Sequence, residues 1–543
     1  MERKPLPREA VIDRVQLMVN GPTPDRDRFG YLDRARAAET LDVMKANLIL
    51  PMEKVADFEY RTPEGEDLVK LQKNVTQATG LTYYDLRGPA LNLFPTYTPL
   101  RNAIPRNSRA NPGDALHYKT ILATTGSGFP FMGWVPEGHR SASMSYTANP
   151  VTLPYATLGE EDSLTDEAKW AAQGFEDENA LVQLRLLLKM FVKEEAAILG
   201  GNATMTLSAP GTITSTATGT AYTLPALTYS IYCVALTQEG YRNSSVANGV
   251  ATAMTIVGND GSSYVLNGGS SAPSAQKTQG ITLGQLLTVS VSPIRGAVAY
   301  AWFVGAAGSE TLQSITTTAQ ATFGAPLGTG AQAITAVVGD HSSNPNVAFD
   351  GLLTTAFKAG NNAYYNALAN GSTLTASGKG SVVEIDNMLL SMWNNYLLSP
   401  TVIYVNAQQL GDITTKVLSN STSPLLRYNV AADQDGMVEY KLTAGGVIAY
   451  YFNPYAADGG TKIPVKIHPN LAPGTIIAWC EKLPPQYVSN ETPTVAEMML
   501  RQDYMNEVWP RTNRVQYYGI YESAALAVYA PFAMGCISNI TAG

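Results

Sequence analysis

Cysteine and histidine are nearly missing from this chain, with three and four copies in 543 residues. Cys233, Cys480 and Cys536 lie far apart and are odd in number. That excludes a paired disulfide framework and leaves each thiol the part of a small buried hydrophobe in a reducing compartment. His117, His139, His341 and His468 stand alone, none spaced with another His, Cys or acid as a metal site requires. Each reads as a surface or turn residue, and no metal is expected. Charge is also thin: 15% of residues, against roughly 25% in ordinary globular domains. A net charge of -8 excludes a protein whose main task is to grip nucleic acid through clustered Lys and Arg. No apolar run reaches the ~18 residues that span a bilayer, so no membrane partner is expected. Met1-Glu2-Arg3-Lys4-Pro5 leads into charged sequence and not into the apolar core of a signal peptide, so a chain made and retained in a cytoplasm is expected.

Enzyme signatures are lacking too. Gly126-Ser-Gly128 is no nucleophile elbow, and Gly328-Thr-Gly330 lacks the third glycine and the strand-to-helix setting of a dinucleotide loop. Glu160-Glu161-Asp162 reads as a solvated, dipole-favoured helix start and not as paired catalytic carboxylates. No catalytic residue and no cofactor site is expected.

What is present falls into zones. The first 75 residues hold 13 Lys/Arg and 14 Asp/Glu, a dense balanced mixture that reads as an exposed arm, with a helix expected over Tyr31 to Leu50 and stopped by Pro51. Between Ala203 and Asn346 only seven charged residues remain among Thr, Ser, Gly and Ala. Strand-like runs recur there: Thr228 to Leu236, Leu287 to Val291 and, after a turn at Pro293 to Gly296, Ala297 to Val304. An all-β sandwich is expected, the alternative being a disordered insert, which rarely carries aromatic strands. The strand pair with Trp302 on its second member resembles the B and C strands of fibronectin type III and immunoglobulin-like domains. The flanking zones are then two halves of one domain interrupted at an exposed turn.

Phe175 to Leu199 reads as the longest helix. Asp177 can cap it, Gly200-Gly201 ends it, and Leu181, Leu184, Leu188, Phe191 and Val192 form its apolar face, widened by Leu187, Met190, Ala197 and Ile198. Upstream, Phe131-Met-Gly-Trp-Val-Pro-Glu-Gly138 leads to two extended runs, Ser141 to Thr147 and Val151 to Thr157, around a turn at Asn149-Pro150. A long hairpin with so little apolar content needs a neighbour to rest on.

This order resembles the major capsid proteins of tailed bacteriophages, whose Hong Kong 97-type fold is shared by encapsulins. The matching stretches are Trp134-Val-Pro-Glu-Gly138, Glu194 to Asn202, Ile385 to Leu398, Thr401 to Val405, Asn406 to Leu418, Ile463 to Ile467 with Leu471 to Ala478, and Arg514 to Tyr521 with Ala524 to Ala530. The resemblance implies an α+β chain with an arm at 1–79 and a peripheral domain from 80–202, its extended loop near 129–165 and spine helix near 175–199. It further implies an inserted immunoglobulin-like sandwich at 203–346, an axial domain at 347–490 and a peripheral return at 491–543.

It implies a shell of pentamers and hexamers around double-stranded DNA in a virion assembled in a bacterial cytoplasm. A scaffolding protein, a portal and decoration proteins are the expected partners, with host-surface glycans as a ligand of the insert. Some family members weld subunits from a loop Lys, but no Lys lies between Lys119 and Lys169, so a shell without that bond is expected. A surface or secreted carbohydrate-binding protein is the alternative, opposed by the missing signal peptide and unpaired cysteines. An encapsulin-like nanocompartment is another, opposed by the insert and the long arm.

Overall fold

The computed structural model describes residues 96–543, except 109–112, 126–131, 174–176, 378–379, 420–425, 433–437, 445–449, 457–459, 484–493 and 512. The arm at 1–79, with its expected helix, lies outside the described residues. So does Gly126-Ser-Gly128.

The chain up to residue 200 forms helix α1 (Pro99–Ala103), strands β1 (Arg106–Ser108), β2 (Ala115–Thr125), β3 (Ser145–Pro154) and β4 (Ala156–Thr165), and helices α2 (Asp166–Ala171) and α3 (Glu178–Gly200). The middle third adds β5 (Thr214–Thr218), β6 (Leu227–Leu236), α4 (Gln238–Asn243), β7 (Ala253–Val257) and β8 (Ser263–Asn267). It continues with β9 (Lys277–Ile281), β10 (Leu286–Ser290), β11 (Ala299–Gly305), β12 (Thr311–Thr316) and β13 (Gln320–Phe323). Next come α5 (Leu352–Phe357), β14 (Tyr364–Ala367), β15 (Ala376–Ser377), β16 (Ser381–Val382), α6 (Val383–Tyr396), β17 (Val402–Val405) and α7 (Ala407–Ser419). The last stretch holds β18 (Leu426–Ala432), β19 (Val438–Ala444), β20 (Tyr450–Asn453), β21 (Thr461–Ile467) and β22 (Ile476–Trp479). It closes with β23 (Ala496–Val508), β24 (Val515–Val528) and β25 (Met534–Ser538). The chain is α+β.

Helix α3 starts where Asp177 accepts from the Asn179 and Ala180 amides at 3.2 and 3.4 Å, and it ends at Gly200. Its buried stripe, however, is Val182, Leu186, Met190, Glu194 and Ile198, an i, i+4 line. Leu184, expected in the core, is 51% exposed, and Leu181, Leu188, Phe191 and Val192 are only partly buried. Apolar residues surround this helix, so composition alone did not single out one face. Packing does: Val182, Leu186 and Met190 meet Leu164, Tyr518 and Ile520 of a four-stranded sheet ordered β1–β23–β24–β4.

A second, mixed sheet runs β14–β25–β22–β17–β21–β20. Strands β17, β22 and β25 are buried along their whole length, as central strands covered on both faces must be. Helices α5 and α6 pack on β14 and β25, and α7 packs on β17 and β21. Residues 463–467 and 471–478 give strand, turn and strand, with β17 lying between β21 and β22 in the sheet. Two expectations change here. The chain end does not stay with the four-stranded sheet, because β25 returns to pair with β22 and β14. Arg514 to Tyr521 and Ala524 to Ala530, expected as separate strands, form the single strand β24.

The middle third folds as two antiparallel sheets, β13–β10–β5 and β12–β11–β6–β9. Trp302, Ile231, Cys233 and Val304 from one sheet meet Leu287, Val289, Ala321 and Phe323 from the other in a closed apolar core. The turn at Pro293 to Gly296 carries the chain from one sheet to the other and does not close a hairpin. Entry and exit are adjacent: the Gly351 amide donates to the Gly201 carbonyl at 2.8 Å. A Cβ on Gly201 would sit 2.6 Å from the Phe349 carbonyl, and one on Gly351 would sit 2.7 Å from the Ala197 carbonyl, so two glycines permit the crossing.

Candidate assembly surface and its buried anchor

Strands β2 and β3 form a two-stranded ribbon, paired from Ala115 opposite Pro154 to Thr125 opposite Ser145. This corrects the expected hairpin. The ribbon begins at Ala115 and not near 129, and Asn149-Pro150 lies inside β3 instead of turning. Alternate residues of a two-stranded ribbon direct their N–H groups away from the partner, so Pro150 is tolerated there. The run from Leu158 to Thr165 belongs to β4, which is fixed along β24.

The ribbon root is held by the body. Leu116 packs with Met499 and Ala527, the Tyr118 ring meets Tyr529 edge-on at 5.0 Å, and the Tyr118 hydroxyl donates to the Val528 carbonyl at 3.1 Å. The far end is bare. Every residue from Met132 to Tyr146 is exposed, including Trp134 at 92%, Met144 at 69% and Tyr146 at 66%. The Pro136 carbonyl accepts from the His139 amide at 3.1 Å, closing a turn beside Trp134.

Below the root lies an ionic cluster with no forewarning beyond two adjacent acids in an apolar helix. Glu194 and Glu195 of α3 are both fully buried. Glu194 receives Arg101 at 2.8 Å, Arg106 and the Tyr504 hydroxyl. Arg106 also reaches Glu522 at 2.6 Å and Asp503 at 2.9 Å. Arg101 stacks on Phe191 with 3.9 Å from its guanidinium carbon to the ring centre. Burial alone would lower the Arg106 pKa, but Glu194 and Glu522 outweigh it and the net shift is upward. Burial first, then the Glu194 charge, push the Glu522 carboxyl up to about 7. Glu195 accepts from the Leu100 and Arg101 amides at 3.0 and 2.8 Å, satisfying the start of α1.

His468 corrects the expectation of four surface histidines: it is fully buried, with Nε2 2.7 Å from Glu195 Oε1. Its Nδ1 accepts from the Asn470 amide at 3.2 Å, so Nε2 carries the proton and donates. His117 and His139 are exposed, and His341 is half-buried against the Val338 carbonyl. Glu160, Glu161 and Asp162 also differ from expectation. They lie within β4, where Glu160 pairs with Lys193 and Glu161 accepts from the Tyr521 hydroxyl.

All three cysteines are free and buried, and burial drives the Cys480 thiol up to about 12. Gly328-Thr-Gly330 lies in an irregular stretch of the sandwich, after β13. Among the described residues no group of three or more His, Cys, Asp or Glu could hold a metal, and no helix is long and apolar enough to cross a membrane. Cavities of about 310 Å³ beside Tyr241 and Arg242, and about 230 Å³ beside Tyr396 and Phe532, bring together no nucleophile and base.

The sandwich is seated on the body by polar groups as well as apolar ones. Gln238 bonds the Asn470 carbonyl and accepts from the Ala472 amide at 3.3 Å. Arg295 reaches the carbonyls of Phe357 and Lys358, while Asn539 accepts from the Ala319 amide at 2.7 Å.

No protein-family model matches the chain, and no curated protein matches its sequence. Among solved structures it is similar to the capsid of an empty GTA particle, at 10% identity and a TM-score of 0.40 over 85% of this chain and 96% of that one. It is also similar to the capsid of Myoviridae phage XM1, at 9% identity and 0.37 over 86% and 99%. A third is the holo-SrpI encapsulin complex from Synechococcus elongatus, at 8% identity and 0.36 over 86% and 95%.

Proposed function

We propose that the chain is a shell-forming structural protein: a Hong Kong 97-type major capsid subunit that tiles into pentamers and hexamers around the double-stranded DNA of a tailed phage. The observation that carries this reading is the ribbon, rooted on the body yet ending in an exposed run from Met132 to Tyr146 that contains Trp134. Monomeric proteins rarely expose a patch of this kind, and a two-stranded ribbon is marginal in water without a neighbour. A second copy supplies that neighbour, and α3 with its ionic cluster supplies a stiff body from which the ribbon reaches. A scaffolding protein, a portal and decoration proteins are the partners this role calls for. Its place is the virion capsid.

The middle third is read as an immunoglobulin-like insert entered at an unusual point. Sheets ordered β5–β10–β13 and β12–β11–β6–β9 correspond to A–B–E and C′–C–F–G of that architecture. Strands β10 to β13 then stand for B, C, C′ and E, with Trp302 on C, and β6 and β9 stand for F and G. The chain thus runs A, F, G, B, C, C′, E: β5 takes the place of A beside B but precedes F in the sequence, a rearranged order. Adhesion to host glycans or docking of accessory proteins is the role proposed for this unit.

The test is expression of the full chain with and without a co-expressed scaffold, followed by electron microscopy and analysis of particle contents. Closed shells support the reading, and packaged DNA rather than protein cargo separates a phage head from a nanocompartment. A chain that stays monomeric under all conditions refutes it.

A further inference from the structure

The insert meets the body at a second place, on the other sheet. Its seat, through Gln238, Arg295 and Ala319, engages groups at Asn470, Phe357 and Asn539, all beside the six-stranded sheet. The hairpin β7–β8 instead runs to the four-stranded sheet, where Asn259 Nδ2 donates to Glu161 Oε2 at 2.6 Å.

Both sides of this contact are built before they meet. On the hairpin, the Gly258 amide donates to the Ser262 carbonyl at 2.8 Å, and Asp260 accepts from the Ser262 amide at 3.0 Å and its hydroxyl at 2.7 Å. Asn259 therefore sits in a turn fixed by its own bonds. On β4, Glu161 is held by the Tyr521 hydroxyl. The Tyr521 ring lies between Gly159 and Gly519, where an added Cβ would come within 2.4 and 2.8 Å of it. Those two glycines clear the path by which Tyr521 reaches Glu161.

We propose that the insert is an internal brace: seated beside one sheet and tied by the Asn259–Glu161 bond to the other, it reinforces a junction that the two sheets of the body already share through one apolar core. The β7–β8 hairpin is the brace's arm, and loosening its tip lets the outer edge of β4, the last strand of its sheet, open more often while its pairing with β24 remains. This holds whether or not the chain builds shells.

The test is hydrogen–deuterium exchange on the purified full-length chain. Asn259→Asp sets a carboxylate against Glu161, and exchange is expected to rise about tenfold in peptides covering both 253–267 and 156–165. Combining Asn259→Asp with Glu161→Gln reverses donor and acceptor while leaving an oxygen for Tyr521, and protection is expected to return. The brace is overturned if Asn259→Asp leaves 156–165 unchanged, whatever the hairpin does, or if the reversed pair fails to restore protection.

Discussion

Replacing Trp134 by alanine tests the ribbon at its most exposed point. The side chain is 92% exposed in the single chain. A buried Trp removes roughly 150–250 Å² from water, which at about 25 cal/mol per Å² is about 4–6 kcal/mol as an upper bound. Ordering the side chain and leaving part of it wet reduce this to about 3 kcal/mol per contact, in the range of interfacial hot spots. That is about a hundredfold weaker association. In the proposed shell each subunit would give one ribbon and receive another, so every such contact would be affected. Light scattering against protein concentration, with electron microscopy of the products, measures the threshold for particle formation. Trp134→Ala is expected to raise that threshold about a hundredfold, and Trp134→Phe by less. An unchanged threshold refutes the idea that this tip lies against a neighbour.

Three further outcomes follow from the body. Glu522, with its pKa raised from 4.5 to about 7, binds its proton more tightly folded than unfolded. Its contribution is therefore complete below about pH 4.5 and lost as pH rises through 7, so the apparent melting temperature should fall from pH 5 to 8 and fall less in Glu522→Gln. Leu186→Ala, at a site 4% exposed between α3 and the sheet, is expected to cost about 2–5 kcal/mol in denaturant unfolding. Gly351→Ala drives a Cβ toward the Ala197 carbonyl and should cost at least about 1–3 kcal/mol, read by the same unfolding curve.

Much of the fold was legible because local signals agreed with the tertiary arrangement. Asp177 caps the start of α3 and Gly200 ends it, and the scarcity of charge between 203 and 346, seven residues where the whole chain averages 15%, marks the middle β unit. Signals failed where two physical rules competed. Asn149-Pro150 has turn composition, yet an edge position in a ribbon accepts proline, so the hairpin was displaced by one strand. The stripe of α3 was misread because its neighbours, not its own period, choose which apolar residues are covered. His468, Glu194 and Glu195 were invisible as a set because they come from segments joined only by folding. The brace had no sequence signal at all: Asn259 and Glu161 are 98 residues apart.

The most direct measurement of the central claim is the mass distribution of the purified full-length chain as concentration is raised, by analytical ultracentrifugation, beside a variant lacking 132–144. Closed particles from the complete chain, lost on removal of the ribbon tip, are the predicted result. Particles that form equally well without the tip, or a complete chain that remains monomeric at high concentration, would contradict it.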